Sequence, residues 1–88
     1  MAKLQKPEFV YMGGKLRAWD EAKLHVGCEA VIRCAHVFEG VKGYWQPDGT
    51  FGIVMLRQHY ERLRRSARLL YIPFSLTYDE FKGAIYEL

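Results

Sequence analysis

One helix constrains this chain more than any other feature. Leu56, Tyr60, Leu63, Ala67 and Leu70 recur at offsets of 0, 4, 7, 11 and 14 residues, a narrow apolar stripe at the helical period. Pro73 stops the pattern, because proline has no amide hydrogen to donate and its ring clashes with the preceding turn. A helix with one apolar stripe has to bury it against other elements. The chain has 88 residues, enough for one small domain that buries about 60–65% of its unfolded surface. Residues 1–88 therefore read as a single small α+β domain, antiparallel strands first and helices after.

The elements around that helix are legible. "FVYMGGKLRAW" (9–19) is two strand-like runs around Gly13-Gly14, a hairpin signal, since both glycines tolerate positive φ. Asp20 is a candidate N-cap, and "CEAVIRCA" (28–35) suits one or two helical turns. "HVFEGVKGYW" (36–45) is rich in β-branched and aromatic residues and ends at the turn "QPDG", so it reads as a strand. "TFGIVML" (50–56) returns beside it, making 37–56 a second hairpin. A last helix starts at "TYDE", where Thr77 and Glu80 have capping-box spacing, with Phe81, Ala84, Ile85 and Leu88 as its buried face. It reaches Leu88 in mid-pattern, without glycine, basic last turn or polar tail, and reads as cut.

The run 36–45 raises a question of its own. Alternation puts Val37, Glu39, Val41, Gly43 and Trp45 on one face, and Phe38, Gly40, Lys42 and Tyr44 on the other. The second face is a ring, a gap, a charge and a ring. Interior glycine weakens a strand and often marks the close approach of another group. Gly40 therefore points to something that comes near it.

Several function classes fall away. No apolar run approaches the ~20 residues a membrane span requires, and "MAKLQKPEF" is followed by no apolar core of a signal peptide. Two cysteines make no disulfide framework, and a reduced, cytoplasmic setting is the simpler reading. His25, Cys28, Cys34 and His36 invite a zinc site, but one residue between Cys34 and His36 is too tight a spacing for a chelating pair, and no metal is expected. Ser66 and Ser75 sit on no nucleophile elbow, and no G-x-G-x-x-G is present.

The net charge of +3 comes largely from "RQHYERLRRSAR" (57–68), with five arginines in twelve residues. Three readings compete: a solvated basic face, which composition alone favours because charge runs usually face water, a nucleic-acid footprint, or one arginine holding a small phosphorylated ligand. Nucleic acid is the weakest, since neither an RNP-type aromatic motif nor a helix-turn-helix accompanies the charge. Arg62 lies about 100° round the helix from Leu63, at the edge of the buried stripe, with Gln58, His59, Arg65 and Ser66 on its side. There a guanidinium can stay partly dry, and its fork suits a phosphate.

"YMGGKLRAWDEAKLHV", "VFEGVKGY" with "PDG" after it, and "LRQHYERLRRSARLL" stand in an order and spacing that resemble the opening of a fold type IV aminotransferase, above all the branched-chain amino acid aminotransferases. The similarity runs from about Phe9 to Leu88. It implies the small N-terminal domain of a longer pyridoxal 5′-phosphate (PLP) enzyme, whose larger domain carries the lysine that holds PLP. Arg62, in "HYERL", matches the arginine that binds the cofactor phosphate. Phe38 and Gly40 match the pocket-lining positions of "FEG", with Glu39 turned away in a structural role.

The departures lie between "HV" and "VFEG". Arg33 stands where the family has a pocket tyrosine, often serving the neighbouring subunit, and Cys34 where it has a glycine. Arg33 could pair with a substrate carboxylate or close an apolar pocket, which leaves the substrate open. Lys6, Lys15, Lys23, Lys42 and Lys82, like Lys3, match no PLP lysine, so these residues alone are expected to be inactive. The resemblance implies amino group transfer from a branched-chain amino acid through PLP to 2-oxoglutarate, as in branched-chain amino acid biosynthesis. It further implies amino acid and 2-oxo acid substrates and a homo-oligomer, without nucleic acid or membrane. The alternatives are a non-catalytic dimerisation or regulatory module of the same fold, and a D-amino acid or (R)-amine aminotransferase.

Overall fold

The structure is a computed structural model that describes residues 5–88. Residues 1–4, with Lys3 and the start of the stretch read above for a signal peptide, lie outside the described residues. In chain order the elements are β1 (Phe9–Met12), β2 (Lys15–Ala18), a 3-10 turn (Trp19–Glu21), α1 (Glu29–Ile32), β3 (Gly43–Trp45), β4 (Phe51–Ile53), α2 (Leu56–Leu69) and α3 (Tyr78–Glu87). The order is the expected one: two antiparallel strand pairs, then two longer helices.

The first hairpin follows from its glycines. Met12 pairs with Lys15 across Gly13 and Gly14, at φ 64° and 77°. Two consecutive positive φ values give a two-residue loop whose twist matches the strands it joins. Asp20 does not cap a helix. It lies inside the 3-10 turn, because the Trp19 amide still donates to the Glu8 carbonyl at 3.0 Å and holds the chain to the hairpin there.

The second hairpin is shorter than the pattern of 36–45 predicts. Gly43 pairs with Ile53, Tyr44 with Gly52 and Trp45 with Phe51, and Val54 adds a bond to the Lys42 carbonyl at 2.9 Å. Beyond that rung the returning chain leaves as α2, so residues 34–42 have no strand beside them and form no regular element. The alternation survives without a ladder: Val37, Glu39, Val41 and Gly43 are half-buried, and Phe38, Gly40, Lys42 and Tyr44 are exposed. Trp45 departs from it, exposed at the turn with its ring edge-on to Phe51 at 5.2 Å.

Leu56, Tyr60 and Ala67 of the stripe are the buried residues among those described. Tyr60 anchors the helical layer. Its ring lies 5.9 Å from Phe74, 5.5 Å from Tyr78 and 5.5 Å from Phe81, while its hydroxyl donates to the Leu76 carbonyl at 2.7 Å. That bond lets a phenol sit inside without an unpaired polar group. Leu70 is 55% exposed, against expectation, because the helix ends one residue before it. Pro73 is not what ends it. Tyr71 takes φ 57°, and the amides of Ile72 and Tyr71 donate back to Ala67 and Arg68 at 2.9 and 3.1 Å, a Schellman closure. At the start of α3, Thr77 and Glu80 form the expected capping box.

Candidate functional site

The flank of α2 that carries Met55, Gln58, His59, Arg62 and Arg65 lines a concavity of about 280 Å³. The spacing of these residues is that of one helical face. Met55, the residue before the helix, is left-handed at φ 51° and ψ 44° and caps it with no side chain. Beside this concavity lies another of about 320 Å³, lined by Gly40, Lys42, Tyr44, Val54 and His59. His59 belongs to both.

Glu39 joins the unpaired segment to α2 and itself lines a third, apolar groove with Val37 and Leu63. Its carboxylate accepts from Arg62 Nε at 3.0 Å through each oxygen, and also from Arg62 Nη2. His59 Nδ1 meets the same carboxylate at 2.5 Å. The side chain of Glu39 is 6% exposed and that of Arg62 58%. The Arg62 hydrogen bond first, and the His59 bond second, hold the Glu39 carboxyl down at about 2, so it is ionised throughout the neutral range. Arg62 is raised by the same partner.

A guanidinium presents five N–H groups in a planar fork. Glu39 takes the side edge, Nε and Nη2, and leaves the terminal edge of Nη1 and Nη2 with donors to spare. With Arg65 and the Gln58 amide on the same wall, this donor set suits an anion that accepts paired hydrogen bonds. A phosphate or carboxylate has that chemistry.

Gly40 takes its meaning from Gly43. A side chain at Gly43 would strike the Phe51 ring, so the hairpin itself needs that glycine. At Gly40 an added Cβ would meet nothing within 4 Å, and its φ lies outside the left-handed region. Among the described residues, no demand of backbone or packing calls for glycine there. Phe38, 84% exposed, lies on the same exposed row but lines a different, apolar groove of about 620 Å³ with Val41, Phe51, Leu63 and Phe81.

The four residues singled out in the sequence are not gathered into one site. Arg62 and Gly40 flank neighbouring concavities joined by His59. Arg33 stands apart from both; its side chain is 72% exposed and pairs with Glu29 one helical turn away at 3.3 Å. Glu39 and His59 were the residues missed. Parity assigned Glu39 to the face away from Gly40, and that assignment is right. What it could not reveal is that α2 packs on that face. Among the described residues no three His, Cys, Asp or Glu side chains cluster to hold a metal, and no helix is long and apolar enough to cross a membrane.

No family model matches the sequence. Individual proteins do. The chain is 32% identical over 80 residues to the branched-chain-amino-acid aminotransferase of Salmonella typhimurium, covering 91% of this chain and 26% of that protein. The Escherichia coli K12 enzyme of the same name is 31% identical over 80 residues, with the same coverage. Among solved structures, the branched-chain amino acid aminotransferase from Thermobaculum terrenum, in its PLP form, superposes with a TM-score of 0.81 at 30% identity, covering 97% of this chain and 28% of that one. The chain thus spans about a quarter of the length of the relatives it matches. Sequence and fold agree with the resemblance seen in its motifs.

Proposed function

We propose that this chain, similar over nine-tenths of its length to one quarter of branched-chain-amino-acid aminotransferases, serves as the small domain of such an enzyme. Its part is to hold the cofactor phosphate through Arg62 and to form one wall of the substrate pocket. The observation that carries the reading is the state of Arg62: one edge pinned on Glu39, the other edge bearing free donors on a concave flank. A solvated basic face gives no reason to bury a carboxylate behind one of its arginines.

PLP, when bound, supplies the electron sink that lets an amino group pass between an amino acid and a 2-oxo acid. The residues of this chain bind and orient. Arg62 donates a paired set of hydrogen bonds to phosphate oxygens, with Arg65 adding positive charge. Gly40 keeps the neighbouring wall open for the ring or the substrate, and Phe38 offers apolar surface to the separate groove it lines. A branched-chain amino acid donor and 2-oxoglutarate as acceptor belong to the same reading, as do a homo-oligomer and a cytoplasmic setting. The lysine that holds PLP is to be sought outside these residues.

The test is a PLP titration of the full-length protein with Arg62→Ala. Loss of two charge-assisted hydrogen bonds should weaken PLP by about 10-fold or more, while pyridoxal, the same ring without phosphate, binds as before. Equal loss of both ligands, or of neither, would remove Arg62 from the phosphate.

A further inference from the structure

We propose that Glu39 is a positioning residue for the phosphate: by holding the side edge of Arg62 and Nδ1 of His59 together, it turns the terminal edge of Arg62 toward the anion. This rests on Arg62 being the phosphate residue.

Glu39 comes from a segment with no strand partner, so no ladder dictates where its side chain goes. Among the described residues its carboxylate takes hydrogen bonds from Arg62 and His59. Burying a carboxylate costs desolvation; the half with Arg62, largely in water, returns little stability, while His59, 19% exposed, shares the carboxylate from the buried side. Arginine has many rotamers, and Arg62 is more than half exposed, so without a holder its fork would have to be ordered at the moment of binding. A carboxylate on the side edge removes that cost in advance. The fold joins Glu39 to Arg62 over 23 residues of sequence, and Arg62 and His59, its two partners, both line the concavity.

The sign of the effect separates positioning from charge. A carboxylate beside an arginine repels a phosphate, so if Glu39 only partly neutralised Arg62, Glu39→Gln would tighten PLP binding. If Glu39 positions Arg62, the same change weakens it.

The experiment compares PLP and pyridoxal titrations of the full-length protein as wild type, Glu39→Gln, Glu39→Asp and Arg62→Ala, followed by absorbance. Glu39→Gln is expected to weaken PLP by about 3- to 10-fold, the size of one ordered side chain, and to leave pyridoxal unchanged. Glu39→Asp, which keeps the charge but draws the carboxylate back by one methylene, should fall between. Unchanged or tighter PLP binding in Glu39→Gln overturns the proposal, and so does an equal loss for pyridoxal, the mark of a structural role. Should Glu39→Gln fail to fold, Glu39→Asp decides by the same comparison. If Arg62→Ala abolishes the preference for PLP over pyridoxal while the Glu39 variants keep it, positioning alone falls. If Arg62→Ala keeps the preference, the phosphate reading falls and takes this one with it.

Discussion

Gly40 and Gly43 are three residues apart and answer different demands. Gly43 serves the hairpin, since the Phe51 ring occupies the space a side chain would need. At Gly40 a side chain would meet nothing within 4 Å among the described residues. The two therefore respond in opposite ways to one added methyl group. Gly40→Ala should leave the fold intact or stabilise it by about 0.4–1 kcal/mol, by narrowing the unfolded ensemble. On the proposed function, its KM for the amino acid should nonetheless rise, because the methyl group would intrude on the open wall. Denaturant melts and steady-state kinetics of the full-length variant check this, and unchanged kinetics would reduce Gly40 to a bystander. The sequence flagged Gly40 through its strand context and through the family resemblance. Glu39 left no such signal, because a buried acid looks like a surface acid until its partners are in place.

At the scale of elements, local chemistry and local structure agree wherever the partner lies close in sequence. Gly13-Gly14 makes its turn and Thr77 with Glu80 makes its capping box, since each needs only a few neighbouring residues. The strand at 36–45 shrank to three residues for want of a neighbour, not of propensity. The end of α2 shows another local rule overridden: Tyr71 occupies the left-handed position that glycine usually takes. A side chain in that region costs about 1 kcal/mol, and Tyr71 is 94% exposed, so little packing offsets it. Tyr71→Gly is expected to raise stability by about 1 kcal/mol in equilibrium unfolding. A loss of stability would mean that the tyrosine packs against something outside these residues.

The whole chain is looser than its length requires. Its radius of gyration is 15.0 Å, where a compact domain of this length has about 12 Å. Large apolar side chains stay open along the chain, among them Val26, Phe38, Trp45 and Leu69. Such surface is what another part of a larger protein would cover. On the proposal that a longer enzyme covers this surface, the isolated 88 residues should bind a hydrophobic dye such as ANS and unfold over a broad transition, whereas the full-length protein should do neither. A sharp, dye-silent transition in the isolated chain would show a domain that closes on its own, and would favour a stand-alone module.

Periodicity, turn chemistry and motif order determined the α+β class, the helix that carries Arg62, the two rows of residues 36–45 and the resemblance to aminotransferases. All of these depend on residues within a turn or a strand of one another, or on their order along the chain. The tertiary structure decided which row of 36–45 faces α2, that Glu39 reaches Arg62 and His59, and that Arg33 stays with Glu29, away from both concavities. Those outcomes turn on packing between distant segments. A carboxylate's neighbours are chosen by the fold, and no spacing in the sequence records them.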